Sequence, residues 1–106
     1  MANGHVGPVI MADETAREQL LNEGEVVSFR QHDRTTGETW WRQSRTGPKC
    51  GEVLVEQLGE CDPSELSELE PYGAKSGFNS ARAWQTAIAT INGDLSDGYL
   101  YRISQI

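Results

Sequence analysis

The sequence predicts an α+β domain, a small, partly open mixed β-barrel of about five or six strands with two to three helices packed at its ends. Three observations lead there. A chain of 106 residues is one domain, large enough for a real core and too small for two. Most of its apolar residues alternate in short blocks separated by turn residues, the period of half-buried strands. Two stretches instead carry helical spacing, each with a capping residue before it and a glycine after it.

The elements follow in order. Residues 1–7 are small and polar and are expected to fray, which puts the domain at 8–106. Pro8, Val9, Ile10 and Met11 make a short first strand, with Pro8 at an edge where its missing N–H does no harm. Asp13 caps a helix, Glu14 opposes its dipole, Ala16, Leu20 and Leu21 face inward, and Gly24 supplies the left-handed stop. Residues 25–30 alternate as a strand, with Val27 and Phe29 on one face and Val26, Ser28 and Arg30 on the other. A polar run with a Thr36-Gly37 turn leads to residues 39–42, the expected hairpin partner of that strand. Trp40 and Trp41 must then point to opposite faces, one toward the core and one outward.

Gly47-Pro48 marks a loop, and residues 52–58 read as a further strand, Val53 and Val55 opposite Leu54, Glu56 and Leu58. Pro63 opens a short helical stretch to Leu69, Pro71 ends it, and residues 72–77 form a loop. The strongest helix follows Ser80. Its stripe is Trp84, Ala87, Ile88 and Ile91, and Asn92-Gly93 stops it. Residues 98–103 close the chain as a strand, with Tyr99, Tyr101 and Ile103 on one face and Leu100 and Arg102 on the other.

Charge narrows the chemistry. Sixteen acidic residues against nine basic ones give a net charge of −7, and only Lys49 and Lys75 are lysines. Carboxylates keep a surface hydrated whereas lysine stems add exposed apolar area, so this balance is the one expected in concentrated salt. Screening there shrinks to ~3 Å, and an anionic partner would have to be held by bidentate arginine bonds and stacking rather than by a diffuse field. Cys50 and Cys61 form no CxxC pair and are expected as free, buried thiols in a reducing compartment. His5 and His32 have no partner at ligand spacing, so neither a metal, another cofactor nor a nucleophilic triad is expected. The start of the chain lacks the cationic and apolar runs of a signal peptide or membrane span, which predicts a cytoplasmic protein, and it is expected to act as a monomer.

Within this acidic chain, residues 25–50 gather Arg30, Arg34, Arg42, Arg45 and Lys49 against only Glu25, Asp33 and Glu38, together with both adjacent tryptophans and His32. Arg30, beside Ser28 on one strand face, can hold a phosphate or a base edge; the competing reading is an ion pair across the sheet with an acid such as Glu56. One of Trp40 and Trp41 can offer its face to an unpaired base, a stack worth ~1–3 kcal/mol. Plain packing and surface cover compete with that role. The loop with Gly47, Pro48 and Lys49 has N–H groups to offer a phosphate, but no Walker spacing, and it reads equally as a connector. Tyr72, Lys75 and Ser76, ahead of the long helix, could rim the same cleft or simply be solvated.

The order PVIMADETAREQLLNEGEVVSFR, a hairpin, VLVEQLGE, SGFNSARAW and GYLYRI resembles the ASCH domain of the PUA-like superfamily over nearly the whole chain from Pro8. The family's motif is a glycine, lysine, hydroxyl and arginine leading into a strand, then an aromatic GF-x-S run into a helix bearing tryptophan. Gly24, Ser28 and Arg30 match the first part, and Gly77, Phe78, Ser80 and Trp84 the second. The motif's lysine is replaced by Glu25 or Val26, and the glycine-to-arginine spacing is one residue short. Some relatives hydrolyse acetylated cytidine with a lysine, a threonine and a glutamate. Here only Ser28 and Glu56 could stand for two of those, and a serine without a neighbouring amine or base is a poor nucleophile.

The resulting expectation is an RNA-binding module without catalysis, taking a single-stranded or modified nucleotide. Arg30, Arg42, Arg45, Lys49 and Ser28 would touch phosphate or base edges, and Trp40 or Trp41 would stack. Two alternatives stand beside it: a small amidohydrolase on a modified nucleoside, with Ser28 and Glu56 as catalytic pair, and an accessory whose acidic helices bind a basic protein.

Overall fold

Helix boundaries fall where the cap residues put them. In the computed structural model, which describes residues 6–106, α1 (Glu14–Glu23) begins at Asp13, whose carboxylate accepts the Ala16 N–H at 2.9 Å. It ends at Gly24, where φ is 85° and the Gly24 N–H donates to the Leu20 carbonyl. The longest helix, Ala81–Asn92, starts from the Ser80 hydroxyl, which accepts the Ala83 N–H at 3.0 Å, and stops at left-handed Gly93.

Five strands form one mixed sheet: β1 (Val9–Ile10), β2 (Glu25–Arg30), β3 (Gly37–Arg42), β4 (Gly51–Cys61) and β5 (Gly98–Gln105). Their spatial order is β1-β3-β4-β5-β2; β1 runs parallel to β3 and every other pairing is antiparallel. The sheet curls into a half-barrel, with β2 at one free edge.

Register then decides which residues share a face. Val26, Ser28 and Arg30 lie opposite Ile103, Tyr101 and Tyr99, while Val55 and Gln57 lie opposite the same Ile103 and Tyr101. This is the concave face. It packs Val26, Trp41, Val53, Val55 and Tyr101 with Met11 of the β1–α1 connection and Leu20 of α1. On the convex face Val27, Phe29 and Leu100 meet Trp84 and Ile88 of the long helix and Leu69 of α2 (Leu66–Leu69). Truncating an indole buried as Trp84 is would cost about 3–5 kcal/mol.

Several expectations change. β3 is not the hairpin partner of β2: it pairs with β1 and β4, and two strands separate it from β2. The run between them is too polar to add rungs to a ladder, and side-chain bonds from β4 and β5 draw it across the barrel's open end instead. Leu21 is 55% exposed, because the inward stripe of α1 ends at Leu20. Pro63 precedes its helix by a turn, and Pro71 does not end the helical region. It sits in a 3-10 turn, Glu70–Tyr72, which needs no N–H there and continues into α3 (Gly73–Ser76). The expected fraying of residues 1–5 lies outside the described residues. Gly7, however, is held, its N–H on Thr35 Oγ1 and its carbonyl accepting from Arg34. Cys50 is exposed, Cys61 buried, and both are free.

Labelled in chain order, the long helix is α4.

Candidate functional site

A groove follows the free edge of β2, walled by α1 on one side and α4 on the other. It has two lobes of about 400 Å³ each. The first reaches along α4, past Trp84, Ala87 and Ile88, to the loop holding His32 and Arg34. The second reaches toward Ile10, Met11 and Ala12. Asp13, Ala16, Ser28, Phe29, Arg30 and Ile91 line both. Volumes of this order suit a small organic ligand.

Arg30 dominates the electrostatics. Strand alternation sends it to the concave side at the last position of β2, where its Nε is buried without a hydrogen-bond partner. Among the described residues no carboxylate forms an ion pair with it. Burial lowers its pKa from arginine's ordinary value, the nearby Arg34 cation adds to that, and Tyr101 opposes it. The guanidinium stays protonated all the same. A buried donor left without an acceptor is costly unless something outside the fold completes it.

Each of the acids around it has one carboxylate oxygen engaged. Asp13 caps α1, and Asp33 accepts from the Tyr101 hydroxyl at 2.9 Å and from Gln57 Nε2 at 2.8 Å. The Tyr101 oxygen in turn accepts the Arg34 N–H at 2.9 Å and a second contact from Gln57 at 3.1 Å. This clasp ties residues 33–34 to the barrel floor and fixes the groove's rim. Arg34 is partly spent as well, since Nη2 donates to the Gly7 carbonyl at 2.7 Å and Nε to the Thr35 carbonyl at 3.0 Å. Burial lowers the Arg34 pKa too. Ser76, fully buried, closes its own turn by donating to the Gly73 carbonyl and accepting the Phe78 N–H.

Of the residues singled out from sequence, Ser28 and Arg30 come together in the groove with His32, Arg34 and Ser76, whereas Trp40, Trp41, Arg42, Arg45 and Lys49 do not join them. Trp41 is core. Trp40 and Arg42 sit on the convex face of β3, where the Arg42 guanidinium lies 5.2 Å from the Trp40 ring centroid and its Nε is buried without a partner. Arg45 and Lys49 belong to the exposed β3–β4 loop, with Lys49 4.0 Å from Glu52. Alternation along β3 separates 41 from 40 and 42, and the sheet order removes all of them from β2.

The proposed Ser28–Glu56 pair is excluded by parity. Glu56 lies opposite Arg102 on the convex face, 4.0 Å from its guanidinium, and Ser28 is on the concave one. The same fact removes Glu56 as a partner for Arg30. Ser76 does line the first lobe, whereas Lys75 is held by Glu25 at 2.6 Å and Tyr72 packs on the convex core. Ala87 and Ile91, the rest of the helical stripe, line the groove, and Ile91 is 66% exposed at its mouth. The signal available was a helical stripe one turn longer than the buried pair Trp84 and Ile88 needs.

No family model, curated protein or solved structure matches this chain. Among the described residues no helix is long and apolar enough to cross a membrane, and no cluster of three or more His, Cys, Asp or Glu side chains could hold a metal.

Proposed function

We propose that this chain is a non-catalytic RNA-binding domain of the PUA-like type, which takes an unpaired or modified nucleotide in the groove beside β2. The observation that carries the reading is Arg30, a half-buried cation whose Nε is buried without a hydrogen-bond partner, which forms no ion pair among the described residues and has apolar walls on either side. A phosphate supplies the missing acceptor, and the walls from Phe29, Ala87 and Ile91 accept a flat base. The ordered resemblance to the ASCH domain supports the same reading. An arginine that bonds its ligand directly inside a groove needs no long-range steering, so it suits a chain of this acidity even at high salt.

The test is a titration of fluorescein-labelled single-stranded RNA octamer into wild type, Arg30→Gln and Arg42→Ala/Arg45→Ala. Loss of a charge-assisted contact worth ~1.5–3 kcal/mol weakens binding by the Arg30 variant roughly 10- to 100-fold. The double variant keeps near-wild-type affinity because its side chains lie off the groove. Equal binding by wild type and Arg30→Gln would remove the groove from the account.

A further inference from the structure

Resting on the nucleotide reading just given, we infer that the groove takes two consecutive nucleotides, with Arg30 on the phosphodiester between them. The placement of the cation is the reason. Arg30 lies not at the end of a single pocket but at the waist shared by two lobes of about 400 Å³ each. A terminal phosphate or a carboxylate would put its charge at one end of a ligand and its apolar bulk on one side. A phosphodiester puts one negative charge in the middle and a flat base on each side.

The two lobes differ in the way two base sites would. The α4-side lobe has an apolar wall from Trp84, Ala87 and Ile88 and a polar rim at His32 and Arg34. The α1-side lobe is bounded by Ile10, Met11 and Ala12 and has no cation besides Arg30. Ile91 projects at the boundary, 66% exposed and common to both, and can separate the two bases. Of the two acids facing the waist or rim, Asp13 has Oδ2 on the Ala16 N–H and Asp33 has Oδ1 on Gln57 and Tyr101, and among the described residues neither forms an ion pair with Arg30.

The experiment compares ApA, which has a single bridging phosphate and none at its ends, with 5′-AMP, by calorimetric or NMR titration. The variants are wild type, Arg30→Gln, Ala87→Leu (narrowing the α4 lobe) and Ala12→Leu (narrowing the α1 lobe), each confirmed as folded by circular dichroism. The expected result is ApA at least tenfold tighter than 5′-AMP, with Arg30→Gln weakening it tenfold or more and each lobe variant weakening it several-fold. If 5′-AMP binds as tightly as ApA and only one lobe variant matters, the two-nucleotide inference is overturned while the groove reading stands. If neither these ligands nor the RNA octamer binds, both fall together.

Discussion

Arg30 sets the fold against the function, and Arg30→Met measures that conflict. Methionine is close to arginine's stem in length and unbranched, so it can fill the same space without the charge. In wild type the Nε is buried with no acceptor, a condition that costs about 1–3 kcal/mol, while Arg34 adds repulsion. Part of that cost is already relieved where the side chain faces the groove. The substitution is therefore expected to stabilise the fold by about 1–2 kcal/mol, raising Tm by roughly 5–10 °C in a domain of this size. Urea unfolding followed by tryptophan fluorescence should show a higher midpoint at unchanged slope. RNA binding should be lost in the same protein, the pattern of a residue kept at the expense of stability. A loss of 1 kcal/mol or more in Arg30→Met would mean that the guanidinium is satisfied within the fold and is not held open for a ligand. Arg42→Met is the control: its buried Nε is also unpartnered, but it forfeits a Trp40 contact worth ~0.5–1 kcal/mol, so its net change should be small.

Tyr101→Phe removes the donor to Asp33 and the acceptor for the Arg34 N–H, and should cost about 1–3 kcal/mol by urea unfolding and release amide protection at residues 33–34. At Gly98 an added Cβ would collide with the Arg30 carbonyl and lie 2.6 Å from Phe29 Cζ, so Gly98→Ala should pry β5 from β2 and lower Tm by ten degrees or more. Burial, with Glu68, Asp62 and Asp97 adding to it, pushes the Cys61 thiol up to about 11, so a thiol-reactive dye at pH 8 should label exposed Cys50 quickly and Cys61 only after unfolding. Glu25 is held below the ordinary carboxylate value, first by its hydrogen bond from Lys75. Its contribution to stability is therefore present above the unfolded-state pKa and lost as pH falls through the lower folded one. In Lys75→Ala its carboxyl resonance should titrate at higher pH than in wild type, and an unmoved midpoint would contradict the pairing.

Local chemistry made much of this fold readable in advance. Asp13, Gly24, Ser80 and Gly93 act within a few residues of themselves, through one side-chain acceptor or one left-handed backbone angle, so the bounds of both main helices could be read from the chain. The faces of β2 and β5 were legible for the same reason, since alternation depends only on the pleat. Pairing partners were not. Nothing local in residues 37–42 says that β3 joins β1 and β4 rather than β2, because that choice is settled by which faces bury together once α1 and α4 have packed. The candidate site divides the same way. Alternation put Ser28 and Arg30 side by side, but clustering in sequence misled for Trp40, Arg42, Arg45 and Lys49, which the sheet order carries away from them. The groove's remaining walls come from helices far along the chain, and its rim is held by Tyr101, 68 positions from Asp33. That Arg30 pairs with no carboxylate among the described residues is a property of the tertiary arrangement, in which Asp33 Oδ1 is held by Gln57 and Tyr101 of β4 and β5 while Asp13 caps α1.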